Sequence, residues 1–181
     1  PFEENGQYYN RLIWMNPDES YQIYDKRHLF TMGDEHTVYS GGENKILTEI
    51  KGWKILPLIC YDLRFPVWSK NTYSNSKYEY DILIYIANWP KPRSHVWKAL
   101  LKARALENLS YVVGVNRIGI DGRELEYSGD SAIYNYLGNA IAECPPSKEN
   151  IITTNLDYEA MQKFRNNFNV GPDWDNFTIN V

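Results

Sequence analysis

Apolar residues along this chain fall into short runs separated by turn formers, with one longer stretch at helical spacing. Tyr9 to Met15 and Tyr21 to Tyr24 read as strands around Asn16-Pro17-Asp18. Lys45 to Ile50 and Trp53 to Ile59 flank Lys51-Gly52 and predict a hairpin. Asp81 to Ala87 is continuously apolar, as expected of a strand covered on both faces, and Tyr111 to Val115 reads the same way. Asp121-Gly122 and Leu137-Gly138-Asn139 mark hairpin turns around Glu126 to Tyr136 and Ala140 to Glu143, and Ile151 to Leu156 is expected to close the sheet.

Helical spacing is clearest after Ser94, a candidate N-cap, where Val96, Leu100, Ala103 and Leu106 recur on the way to Leu109. Arg104 and Glu107 lie one turn apart on this helix and are placed to pair. Asp157 is the expected cap of a shorter helix ending at Arg165. Between Lys26 and Glu43 the periodicity vanishes; a loop of that length is usually functional or mobile. The tail from Phe168 to Val181 is irregular. Crossover helices mixed with hairpins predict an α/β fold with a mixed sheet layered by helices, and residues 1–181 read as one domain.

Composition narrows the function classes. With 43% hydrophobic and 23% charged residues, the 181-residue chain is of ordinary globular type. Its 15 Tyr, 6 Trp and 6 Phe suit many strands and an aromatic-lined pocket. A net charge of −4 without a basic cluster argues against nucleic acid, and no apolar run approaches membrane-spanning length. Cys60 and Cys144 do not make a disulfide framework and fit a reducing compartment, with cytoplasm the default. The chain opens Pro1-Phe2-Glu3-Glu4 with no Met and no visible leader.

Candidate chemistry centres on Trp53 to Phe65, where an apolar run of strand length ends in Cys60. A thiol at a strand end faces a cleft, and a helix beginning at Asp62 would favour the thiolate through its exposed N–H groups. Simple core packing of Cys60 is the alternative. His28, His36 and His95 are candidate bases, although Cys–His pairing is set in space and none has a diagnostic spacing. No close-spaced ligand set predicts a metal, and Gly41-Gly42 is no phosphate loop. Lys26, where a strand gives way to the long loop, could lower a nearby thiol's pKa and donate to an oxyanion, or could be simply solvated. Glu35 in the same loop could orient it.

Four blocks then fall in order: Tyr24-Asp25-Lys26-Arg27-His28-Leu29-Phe30, Ile59-Cys60-Tyr61-Asp62-Leu63-Arg64-Phe65, Arg104-Ala105-Leu106-Glu107-Asn108 and Gly129-Asp130-Ser131. Together they resemble the nitrilase superfamily of carbon–nitrogen hydrolases, most closely its omega-amidase (2-oxoglutaramate amidase) branch. The resemblance implies a four-layer α-β-β-α sandwich, here incomplete at its N-terminus, and assembly as a homodimer or larger homo-oligomer. It makes Cys60 the nucleophile, Lys26 with the Tyr61 N–H the oxyanion hole, and Glu35 an auxiliary glutamate. It makes Arg64 the anchor of a substrate carboxylate; a salt bridge to Asp62 is the bland alternative. Asn88 and Trp89 would wall the pocket, with Trp89 equally placed for the core. The family's general-base glutamate belongs to a segment preceding Tyr8, so that base is expected outside this chain. The reaction implied is cofactor-free hydrolysis of a small carboxylate-bearing amide. A related amidase or carbamoyl hydrolase, and a non-catalytic binding module, stay open beside it.

Overall fold

In the computed structural model, which describes residues 1–179, two antiparallel hairpins come first. They are β1 (Phe2–Glu4) with β2 (Gln7–Tyr9), and β3 (Arg11–Met15) with β4 (Tyr21–Asp25). β5 (Thr48–Ile50) turns at Lys51-Gly52 into β6 (Trp53–Ile59). Next come α1 (Pro66–Ser69), the small hairpin β7 (Tyr73–Ser74) and β8 (Lys77–Tyr78), β9 (Ile82–Ala87), α2 (Ser94–Asn108) and β10 (Tyr111–Asn116). β11 (Ile118–Ile120), β12 (Glu126–Ser128), β13 (Ala132–Tyr134), β14 (Ala140–Glu143) and α3 (Tyr158–Asn167) follow.

Six strands form the central mixed sheet in the order β14-β13-β10-β9-β6-β5. The inner strands β6, β9 and β10 run parallel, and the outer three are antiparallel to their neighbours. A parallel neighbour needs a long crossover, and α2 supplies the one between β9 and β10. Side chains alternate across the sheet. Leu56, Leu83 and Val112 join Trp97, Leu101 and Ala105 of α2 in one buried cluster. Ile55, Ile82 and Tyr111, one residue earlier in register, join Met161 and Phe164 of α3 in the other. Burial on both faces is why these strands read as unbroken apolar runs. Gly114 lies directly beneath α2, where a Cβ would be driven into the side chains of Leu101 and Trp97.

The parallel strands share a direction, so the segments after β6 and β9 open at one rim. The first carries Cys60 and the second Asn88-Trp89. Ligands of open α/β sheets bind at this carboxyl end.

Several local expectations are corrected. Ile151 to Leu156 forms no strand, and β14 is the sheet edge on that side. Glu126 to Tyr136 breaks into β12, which pairs with β11, and β13, which pairs with β10. The break falls at Gly129-Asp130, both in the left-handed region at φ +74° and +57°. Ser94 begins α2 but does not cap it; its hydroxyl donates to Asp130 Oδ2 at 2.7 Å. Asp157 does cap α3, accepting the Ala160 N–H at 2.8 Å. The long loop after β4 carries two short 3-10 turns, Thr31–Gly33 and Glu35–Thr37. The tail is irregular as far as residue 179 apart from a 3-10 turn at Gly171–Asp173; residues 180 and 181, also expected to be irregular, lie outside the described residues.

Candidate active site

Cys60 does not precede a helix starting at Asp62; it opens a 3-10 turn, Cys60–Arg64, that leads into α1. Ile59 is extended and Cys60 switches to φ +44°. A non-glycine residue held there is strained, and such strain gathers at functional sites. The turn is pinned from two sides. Leu63 C=O accepts from Arg104 Nη2 of α2 at 2.7 Å, and Arg104 also pairs with Glu107 at 2.9 Å, as its spacing predicts.

Asp62, fully buried, holds the other side. It accepts from the Ile59 N–H (3.0 Å), the Tyr24 hydroxyl (2.7 Å) and the His28 N–H (3.0 Å), and His28 Nδ1 lies 2.9 Å away. Tyr24 and His28 sit two residues before and after Lys26. One carboxylate therefore ties the turn that carries the thiol to the segment that carries the lysine. Burial and the neighbouring Asp62 push the Tyr24 phenol up, so it stays a donor.

Lys26 is buried, and its Nζ lies 2.6 Å from Glu35 Oε2, which also accepts the Phe30 N–H at 2.9 Å. Its backbone is held by Asn10 C=O at 2.9 Å and by the Gly42 N–H at 3.0 Å. Gly42 must be glycine for this approach, because a Cβ would collide with the Asp25 carbonyl. Burial pushes the Cys60 thiol up, while Lys26 and the Asn88 N–H draw it down. The balance lies upward, against the expectation that a helix terminus makes this a ready thiolate.

Lys26, Glu35, Cys60, Tyr61, Arg64, Asn88 and Trp89 all line one cavity of about 560 Å³. A larger cleft of about 1010 Å³, bordered by Tyr21, Glu49 and Glu79, holds no cysteine. Tyr61 meets Phe30 and Phe65 edge-on, at 4.9 and 5.1 Å between centroids. Arg64 has no salt bridge to Asp62, whose oxygens are taken; its guanidinium lies 5.1 Å from the Trp89 ring centroid. Trp89 is both wall and core, packed 5.5 Å from Trp97. Asn116 clamps it, accepting the Trp89 N–H at 2.7 Å and donating to Trp89 C=O at 2.9 Å.

None of the three histidines hydrogen-bonds the thiol. His28 faces Asp62 and stacks on Phe65 at 3.7 Å, and His36 and His95 are exposed. Among the described residues no group of three metal-ligating side chains converges. The sequence assigns no place in the site to Asn116 or to Arg93, the latter also lining the cavity, and offers Asp62 only as a helix start or a partner of Arg64.

The family model described as carbon–nitrogen hydrolase matches residues 1–166. Omega-amidase YafV of Escherichia coli K12 is 45% identical over 170 residues, covering 94% of this chain and 64% of the relative. The 2-oxoglutaramate amidase of Bacillus subtilis 168 is 33% identical over 171 residues, with the same 94% and 64% coverage. The chain thus spans 64% of the length of these curated relatives. Among solved structures, a CN-hydrolase superfamily protein from Xanthomonas campestris superposes with a TM-score of 0.96 at 41% identity, covering 98% of this chain and 68% of that one.

Proposed function

This chain belongs to the carbon–nitrogen hydrolase family, and from that premise we propose that its cavity hydrolyses the terminal amide of a small carboxylate-bearing substrate, as an omega-amidase does. The observation that carries the reading is the shared cavity: a strained thiol, a buried lysine tied to Glu35, and the Arg64 guanidinium, without a carboxylate partner among the described residues, line the same space.

In the proposed cycle the Cys60 sulfur, once deprotonated, attacks the amide carbon. The carbonyl electron pair moves to oxygen, where the Lys26 ammonium and the Tyr61 N–H stabilise it. Collapse breaks the C–N bond, the nitrogen takes up a proton, and ammonia leaves a thioester on Cys60. Water then adds to the thioester carbon and expels the thiolate as the free acid forms. The proton carrier in both halves is, by the resemblance, a glutamate of the segment preceding Tyr8. Glu35, with Lys26 and the Phe30 N–H on the same oxygen, serves as the orienting carboxylate. Arg64 fixes the distal carboxylate and so sets which carbonyl reaches the sulfur. Omega-amides of short 2-oxo acids, 2-oxoglutaramate among them, are the substrates this arrangement favours, and no cofactor enters.

The same reading takes residues 1–181 as one hydrolase domain, working in the cytoplasm as a homodimer or larger homo-oligomer. Both cysteines are free, which suits a reducing compartment. Among the described residues no helix is long and apolar enough to cross a membrane.

The test is ammonia release from 2-oxoglutaramate by the full protein that carries this chain, beside its Cys60→Ala variant. Release by the parent and none by the variant is expected. Equal release from both would remove Cys60 from the chemistry, and none from either would remove the amide assignment.

A further inference from the structure

Two half-buried guanidinium groups at the Cys60 cavity, Arg64 and Arg93, have no carboxylate partner among the described residues. That sets them apart from the buried arginines of the scaffold. Arg11 pairs with Asp25, Arg104 with Glu107 and Arg165 with Asp81. Arg11 and Arg165 also lie over aromatic rings, but Arg64 and Arg93 have the ring without the carboxylate, 5.1 Å from the Trp89 centroid and 5.5 Å from the Phe30 centroid. An aromatic face holds a guanidinium plane in place yet leaves its edge N–H donors free for a ligand.

The two are built into one frame. Trp89, which carries the Arg64 guanidinium, donates its Nε1–H to Arg93 C=O at 2.8 Å. Phe30, which carries the Arg93 guanidinium, donates its N–H to Glu35, the carboxylate that holds Lys26. Arg93 therefore reaches from the segment after β9 to the loop after β4, and both border the cavity. An indole and a phenyl ring set the direction of each fork before any substrate arrives. Donors arranged in advance lose little freedom on binding.

We infer that Arg93 is a second specificity-determining residue, forming with Arg64 a two-guanidinium cradle for an acid end that carries a further oxygen acceptor beside its carboxylate, as a 2-oxo acid does. This rests on the amide-hydrolase reading of the same cavity and adds to it the residue that would recognise the second acceptor. A lone carboxylate is satisfied by one bidentate fork; a neighbouring ketone oxygen gives the second fork an acceptor. A neutral far end leaves both cations unmatched, and a cationic one meets like charge.

The test compares the full protein with its Arg93→Gln and Arg93→Lys variants on three amides of matched length: a 2-oxo acid ω-amide, its analogue without the ketone, and a neutral amide. Arg93→Gln is expected to raise KM at least tenfold for the first, less for the second and least for the third. kcat should move by less than threefold, and Arg93→Lys should recover part of the loss. A KM change of equal size on all three amides, or none on any, overturns the inference, since lost packing on Phe30 would not sort substrates by charge.

A second measurement needs no turnover. Iodoacetate and iodoacetamide alkylate Cys60 alike except for charge, so their rate ratio reads the local field, followed by mass spectrometry of the Cys60 peptide. Arg93→Gln should lower that ratio several-fold; an unchanged ratio overturns the inference. Absence of ammonia release from all three amides by the parent would instead defeat the amide-hydrolase reading, and the alkylation ratio would still decide the role of Arg93.

Discussion

At Cys60 two physical demands pull apart. The position must present sulfur to the cavity from a tight turn, which holds a non-glycine residue at φ +44°. Such a conformation costs about 1–2 kcal/mol, so Cys60→Gly should be more stable than Cys60→Ala by about 1 kcal/mol in denaturant unfolding. Burial meanwhile opposes ionisation, with Lys26 as the principal counterweight. The rate of Cys60 alkylation by iodoacetamide should therefore climb with pH through a midpoint above the ordinary thiol value. Lys26→Gln should move that midpoint higher still, because it deletes the cation and leaves the negative charge of Glu35 behind. A midpoint below the ordinary value, or a downward move in the variant, would contradict this balance. Cys60 and Lys26 were legible from sequence because each stands where a patterned segment stops. Asp62 was not: nothing in Cys60-Tyr61-Asp62 says that one side chain collects Ile59, Tyr24 and His28. Its partners lie 38 and 34 residues away, in a contact that exists only once the strands have paired.

At the scale of elements, pattern reading succeeded where one environment acts on a whole segment. β9 and β10 are covered on both faces, so their apolar runs were unambiguous, and α2 repeats its apolar face along 15 residues. It failed where a break is set by tertiary neighbours. Glu126 to Tyr136 looks continuous, yet Gly129 is drawn against Ile118 while Asp130 binds Ser94, Ser128 and Lys98, which turns the chain between two separate ladders. The attachment of α3 was equally hidden. Arg165 is buried and spends its donors on Asp81 at 2.6 Å, Leu109 C=O at 2.9 Å and Tyr80 C=O at 3.0 Å. These three acceptors border the starts of β9 and β10, so one side chain fastens a helix to the sheet. Arg165→Leu leaves a carboxylate and two carbonyls without this partner and should cost about 3–5 kcal/mol in unfolding free energy. Adding Asp81→Asn should recover part of that loss, a coupling that a double-mutant cycle would measure.

Across the whole molecule, charge is distributed against the average. The chain carries a net −4, yet its Cys60 cavity is lined by Arg64, Arg93 and Arg123 against Asp121, while Lys26 and Glu35 offset one another. A cavity of one sign within a surface of the other concentrates anions near Cys60 without binding them along the way. Exposed and half-exposed charges are screened within about 10 Å at 0.1 M salt and about 3 Å at 1 M. Raising salt from low concentration to about 0.5 M should therefore increase KM for carboxylate-bearing amides by roughly three- to tenfold, if the lost attraction is about 1 kcal/mol. KM for a neutral amide of the same length should move far less, and kcat should hold for both, since Lys26 is buried and already paired with Glu35. Equal salt dependence for charged and neutral amides would mean that the guanidinium groups do not act on the incoming anion. The cavity would then owe its selectivity to the shape of its aromatic walls, Trp89, Phe30 and Tyr61.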